Sequence, residues 1–261
     1  MHAVLTKPLD WFSIQLARMT VRSGSAADGQ LAAVDELLHR PDFLCHAVGA
    51  PRDLAFVSER DFQFDSPLSS GCAENDTTRG RLFRCGEGWR RRPTVVVLHG
   101  WNAESSYHVL FPYLAWRLGR AGLNTAMIEL PYHAQRKPRR TGVVTNFLSD
   151  DLLHVVNAAR QAVADTRAIA AWLTEQGCPA VGLWGFSLGA WVSGLAVCAD
   201  ARAQFAVLTT PVARIDRVIE ELDFCRPLRR SLNGARVRVE PLSLGTHRLK
   251  IAPENVLIVA S

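Results

Sequence analysis

Residues Val181 to Val192 read VGLWGFSLGAWV, a short apolar run (Val181, Leu183, Trp184) that meets Gly185, Phe186, Ser187, Leu188 and Gly189. An apolar pattern with helical spacing (Ala190, Trp191, Gly194, Leu195, Val197) begins at once. That predicts a strand, a sharp turn carrying a serine, and a helix. The residue types suit the geometry, because the turn forces Ser187 into strained backbone angles and the flanking glycines let strand and helix approach without a Cβ clash. Gly-x-Ser-x-Gly by itself is a weak signal, and the strand before it and helix after it are what give it weight.

Working away from this stretch, the neighbouring sequence alternates buried strands with helices. Val95, Val96, Val97 and Leu98 form a continuous apolar run, the mark of a strand covered on both faces. After it come His99, Gly100, Trp101 and Asn102, then a helix with Val109, Leu110, Leu114, Leu118 and Ala121 at apolar positions, closed by Gly122. Asn124 to Leu130 reads as the next strand, followed by a proline-bounded loop from Pro131 to Arg140, PYHAQRKPRR. A long helix is expected over about Phe147 to Gln176, stopped by Gly177 and Pro179. Gln204 to Thr209 and Val256 to Val259 read as further strands, and shorter runs from Leu54 to Phe64 and Arg79 to Cys85 suit antiparallel opening strands. The pattern predicts an α/β protein with a mostly parallel central sheet flanked by helices.

At 261 residues with 48% hydrophobic content the chain suffices for one large domain. Residues 1–53 read as an N-terminal helical annex, with Trp11, Ile14, Leu16 and Met19 on one amphipathic stretch and Leu31, Val34, Leu37 and Leu38 on another. The core is expected over 54–261, with a possible cap insertion at 211–253, where two strands are separated by far more than a usual crossover. The net charge of +5 is scattered apart from Arg90 to Arg92 and Arg136 to Arg140, so nucleic acid is not the expected partner. No eighteen-residue apolar run marks a membrane span, and MHAVLTKPLD is a poor signal peptide, which points to a cytoplasmic protein. Six cysteines without a Cys-x-x-Cys pair or zinc spacing fit a reducing compartment and no metal. Oligomeric state is not legible.

The strand ending in His99-Gly100, its spacing to GFSLG at Gly185 to Gly189, and the order of strands resemble the α/β-hydrolase superfamily over roughly residues 55 to 261. PYHAQRKP further resembles a less-studied branch of it. The resemblance implies Ser187 as nucleophile, the backbone N–H of Leu188 as one oxyanion donor, and that of Trp101 or Asn102 as the second. His99 and Gly100 then shape the oxyanion turn. Tyr132, His133, Arg136 and Lys137 hang at the sheet edge where ligands collect, with Phe186 beside the serine, and the bases are candidates to meet a substrate carboxylate or phosphate.

The superfamily order is Ser, then acid, then His, with the acid after the penultimate strand and the His after the last. Only two residues follow Val256 to Val259. The expectation is therefore a fold lacking its last strand and helix, a fragment inactive alone, with acid and base beyond this chain and Val256 to Val259 a bare apolar edge. Asp216 and His247 are internal substitutes that keep the order, while His154 falls within a helix. The expected chemistry is a serine hydrolase that cleaves a small-molecule ester, thioester or amide through an acyl-enzyme, needing no cofactor. The alternative is a hydrolase-shaped protein that binds without turnover. A nucleotide-binding reading fails for want of Gly-x-Gly-x-x-Gly or a phosphate-binding Lys loop.

Overall fold

The structure is a computed structural model and describes residues 28–102, 106–139, 144–149, 151–232 and 237–260. The expected helix around Trp11 to Met19 lies outside them. Eight strands form one sheet: β1 (Ala55–Phe56), β2 (Asp61–Asp65), β3 (Thr77–Phe83), β4 (Thr94–Leu98), β5 (Asn124–Ile128), β6 (Val181–Phe186), β7 (Phe205–Thr209) and β8 (Val256–Val259). Their spatial order is β1-β2-β3-β5-β4-β6-β7-β8. The first three strands and β5 pair antiparallel, and from β5 to β8 every pairing is parallel. The predicted class, a mostly parallel sheet with antiparallel opening strands, is the class observed.

Helices α1 (Asp28–Leu38), α2 (Ala73–Asp76), α3 (Phe111–Arg120), α4 (Leu152–Glu175), α5 (Leu188–Ala199), α6 (Ile215–Glu221) and α7 (Arg226–Leu232) supply the connections. β4 and β5 are buried at every position, as the continuous apolar run of β4 required, and in β5 this includes the polar Asn124 and Thr125. α4 starts later than its apolar pattern suggested, because the Asp151 side chain accepts the His154 backbone N–H at 3.1 Å and caps the first turn. It stops where Gly177 takes a left-handed φ of 95°. Val34, Leu38, Phe43, Leu44 and Val48 share one core with α4 and the sheet. Arg160 and Arg167 of α4 donate to the carbonyls of Phe43 and of Leu44 and His46, so residues 28–48 are joined to the body of the fold.

The phase of the helix after β4 is corrected by the structure. Val109 and Leu110 were assigned to the buried side of the helix after β4, but they are exposed, and Tyr107, Phe111 and Ala115 face the core instead. The cause is a turn of π-helix over Ser106–Leu110 ahead of α3, which shifts the phase that a 3.6-residue period assumes. The 211–253 segment also contains helices α6 and α7 and a series of 3-10 turns. Part of it packs along α5: the Trp191 indole donates to the Leu242 carbonyl at 2.7 Å, and Leu244 fills the space left by Gly194. β8 pairs only with β7 among the described residues, and Leu257, Ile258 and Val259 are exposed on this edge.

α5 approaches β4 so closely that a Cβ on Gly189 would lie 2.3 Å from the Leu98 carbonyl oxygen, and one on Gly185 2.2 Å from that of Gly189. By contrast, a Cβ on Gly119 in α3 would meet nothing within 4 Å. Gly189→Ala should therefore cost at least about 3 kcal/mol through backbone overlap. Gly119→Ala should stabilise by about 0.5 kcal/mol. Chemical denaturation of the two variants checks both signs.

Candidate active site

Ser187 sits between β6 and α5 with φ 51° and ψ −111°, a backbone conformation that costs a non-glycine residue about 1–3 kcal/mol. Hydrogen bonds on both sides hold it: Ser187 N–H donates to Thr209 O at 2.9 Å, and Trp191 N–H donates to Ser187 O at 3.0 Å. The side chain is exposed and makes no hydrogen bond among the described residues. Leu188 is the first residue of α5, so its N–H precedes the first i→i−4 bond and stands at the positive end of the helix.

The loop after β4 lies against this turn. A Cβ on Gly100 would sit 3.5 Å from the Ser187 Cβ. His99 is buried beneath it with both ring nitrogens engaged: Nδ1 donates to Gly100 O at 2.8 Å and Nε2 accepts the Leu130 N–H at 3.0 Å. Those two bonds fix one neutral tautomer and tie the ring to the backbone on both sides of the loop. They also fix the Gly100–Trp101 peptide, which is trans, so its N–H points away from the imidazole. Trp101 is half-buried against the core, and Asn102 turns the chain with φ 51°.

The loop expected at the ligand edge is folded inward. Tyr132, His133 and Arg136 are buried, Arg136 completely. Arg136 Nη1 donates to Asp165 Oδ2 at 2.8 Å and to Glu129 O at 2.9 Å, while Nε and Nη2 donate to Asn75 O at 3.0 and 2.6 Å. Its role as a candidate anion-binding residue is therefore corrected: the guanidinium neutralises Asp165 of α4 and is not offered to a substrate. His133 Nδ1 donates to Pro131 O at 2.8 Å, its Nε2 has no partner among the described residues, and burial beside His99 pushes the ring down to about 3. Tyr132 lays its ring on that of His154 with centroids 4.4 Å apart. Phe186, half-buried, packs with Trp184 and Phe111 on the α3 side of the sheet.

Residues that sequence reading passed over hold this loop. Asn75 Oδ1 accepts the Tyr132 N–H at 2.9 Å, and Asn75 Nδ2 donates to Gln161 Oε1 at 2.7 Å. Ser66 Oγ donates to Asp165 Oδ1 at 2.6 Å. Tyr132 and Ala134, at φ 60° and 45°, are strained positions braced by these bonds. The available signal was Gln161 and Asp165, an i,i+4 polar pair inside an otherwise apolar stretch of helix.

The internal substitutes for acid and base are not brought together. Asp216 is bound by Arg214 and accepts from Ser243 Oγ at 2.9 Å, and the guanidinium holds its carboxyl well below the usual carboxylate range. His247 Nε2 donates to Pro241 O at 2.6 Å, and His154 Nε2 donates to Asn146 O at 2.8 Å. Among the described residues no hydrogen bond joins an imidazole to Ser187 or to Asp216.

A serine raised on a strained strand-to-helix turn, over parallel strands ordered β5-β4-β6-β7, defines an α/β hydrolase. The family model described as alpha/beta hydrolase domain containing 18 matches residues 60–213, more than half of the chain, and the chain belongs to that family. An uncharacterized protein of Mycobacterium tuberculosis (strain ATCC 25618 / H37Rv) is 33% identical over 126 residues, 47% of this chain and 30% of that protein. The match thus spans under a third of that relative's length. Among solved structures, acetyl xylan esterase 1 from Thermoanaerobacterium sp. JW/SL YS485 aligns at 13% identity over 95% of this chain and 92% of that one, with a TM-score of 0.49. Est1E from Butyrivibrio proteoclasticus aligns at 12% identity over 62% and 55%, with a TM-score of 0.44.

Two measurements test the loop. Arg136→Met strands the Asp165 carboxylate in the core and should cost about 3–5 kcal/mol, of which Arg136→Met/Asp165→Leu should recover a large part. Denaturant midpoints of the two variants decide it. Glu129, whose carboxylate accepts the Gln135 N–H at 3.1 Å, is pushed by burial up to about 7, against the pull of Gln135, Arg136 and Arg79. Raised above its unfolded value, it gives the folded state an extra proton, so stability falls as pH rises through 7. The melting temperature of the wild type should drop between about pH 5 and pH 8 relative to Glu129→Gln.

Proposed function

We infer that the protein is a serine hydrolase acting on the acyl group of a small-molecule ester, thioester or amide, with Ser187 as nucleophile. The observation that carries this reading is the strained, exposed Ser187 at the start of α5. Its attack would place the oxyanion at the Leu188 N–H and at the N–H of Trp101 or its neighbour Asn102. The fixed Gly100–Trp101 peptide supports that second donor. His99 acts there as a positioning residue. Residues 211–253, partly packed along α5, are proposed to select the substrate as a cap.

A serine hydroxyl needs a base to take its proton, and among the described residues no imidazole is hydrogen-bonded to Ser187. An acyl-enzyme then forms with transfer of the Ser187 proton to that base, and water releases the acyl group by the reverse path. The reaction as proposed needs no metal or organic cofactor. The second reading is a binding protein built on a hydrolase frame.

Labelling with a fluorophosphonate probe separates the two. The protein in the cells that make it should be labelled on Ser187, and Ser187→Ala should abolish labelling without lowering the melting temperature. No labelling of the wild type, together with retained ligand binding, would transfer the assignment to the binding protein.

A further inference from the structure

Large apolar side chains are exposed together between residues 109 and 116: Val109 (74%), Leu110 (52%), Tyr113 (55%) and Trp116 (53%). Val109, Tyr113, Trp116 and Arg120 lie at i, i+4, i+7 and i+11, a single stripe opposite the buried Tyr107, Phe111 and Ala115. The Tyr113 and Trp116 rings stack with centroids 5.6 Å apart, and the Arg120 guanidinium covers Trp116 at 5.3 Å. From Ser106 to Arg120 there is no carboxylate, while His108, Arg117 and Arg120 are exposed.

A groove of about 470 Å³ runs beside this stripe, between α3 and the β2–β3 hairpin, and is lined by Arg60, Arg84, Arg120, Pro112, Trp116 and Glu59. Three guanidiniums face one carboxylate. Arg84 is held there by its bond to Glu59 O at 2.9 Å and by the Phe56 ring at 4.5 Å. An aromatic stripe that ends in arginines and adjoins a cationic groove matches the two layers of a bilayer surface, acyl boundary and phosphate.

We propose that the face formed by Val109, Leu110, Tyr113, Trp116, Arg117 and Arg120, with the groove of Arg60 and Arg84, docks the protein peripherally on a bilayer carrying anionic phospholipids. Val109 and the two rings enter the headgroup boundary, and the arginines meet lipid phosphates. Charge disfavours a second copy as the occupant, since residues 106–120 carry no carboxylate for the arginines of a like face to meet. The face begins at Val109, seven residues after Asn102, and its arginine groove lies beside the start of β5, at the end of the strands opposite Ser187. Its test is independent of turnover.

Flotation of the full chain with vesicles of phosphatidylcholine, with and without phosphatidylglycerol, reads the interaction directly. Binding is expected only to the anionic vesicles, weakened by added salt. Arg117→Gln and Arg120→Gln should each reduce partitioning about fivefold. Tyr113→Ser/Trp116→Ser should lose it by more than about tenfold, with melting temperature unchanged because neither ring is in the core. Equal binding to neutral and anionic vesicles, no binding to either, or unaltered partitioning of the variants would each overturn the proposal. So would a concentration-dependent dimer that Trp116→Ser dissociates in the absence of lipid.

Discussion

Everything at the edge that carries Ser187 depends on the contact between the first turn of α5 and the end of β4. The backbone of Gly189 lies where no side chain could stand, against the Leu98 carbonyl, and that approach fixes the start of the helix relative to the sheet. With the helix start and the end of β6 both fixed, Ser187 has to bridge them with positive φ. The strain is compensated by packing that surrounds the residue on three sides: the Thr209 carbonyl, the Trp191 amide and the glycine turn after β4. A serine here is exposed because its neighbours' backbone has taken the interior.

The second strained region, Tyr132 to Ala134, is held by a different kind of chemistry. Asn75, Gln161, Asp165 and Arg136 form a buried network that joins the β2–β3 connection, α4 and the loop after β5. Such a network is costly when incomplete and specific when complete, because each buried donor requires one particular acceptor. His99 connects it to the Ser187 turn through Leu130 on one side and Gly100 on the other. The two strained turns are thereby parts of one frame.

This division explains what the sequence made legible. The strands, their parallel arrangement and Ser187 follow from local signals: apolar runs, glycine spacing and periodicity, all of which act within a few residues. Arg136 was misplaced because a basic residue in a proline-bounded loop carries the same local signature whether it faces solvent or a carboxylate. Its partner lies 29 positions away in α4. Val109 and Leu110 were misplaced for another reason, a single π-turn that breaks the helical phase without a marker in composition. The pairing of Asp216 with Arg214 is between residues two apart, whereas its bond with Ser243 spans 27 residues and had no local signal.

β8 shows what such long-range dependence does to assembly. Its register to β7, from Ala206↔Val256 to Thr209↔Val259, closes a loop of about fifty residues, and among the described residues its outward side chains gain little from burial. Chain-closure entropy therefore places this strand among the last to join the sheet during folding and among the first to fray from it. While it is open, the β7 margin presents unpaired amides and carbonyls, a template that neighbouring polypeptide can extend.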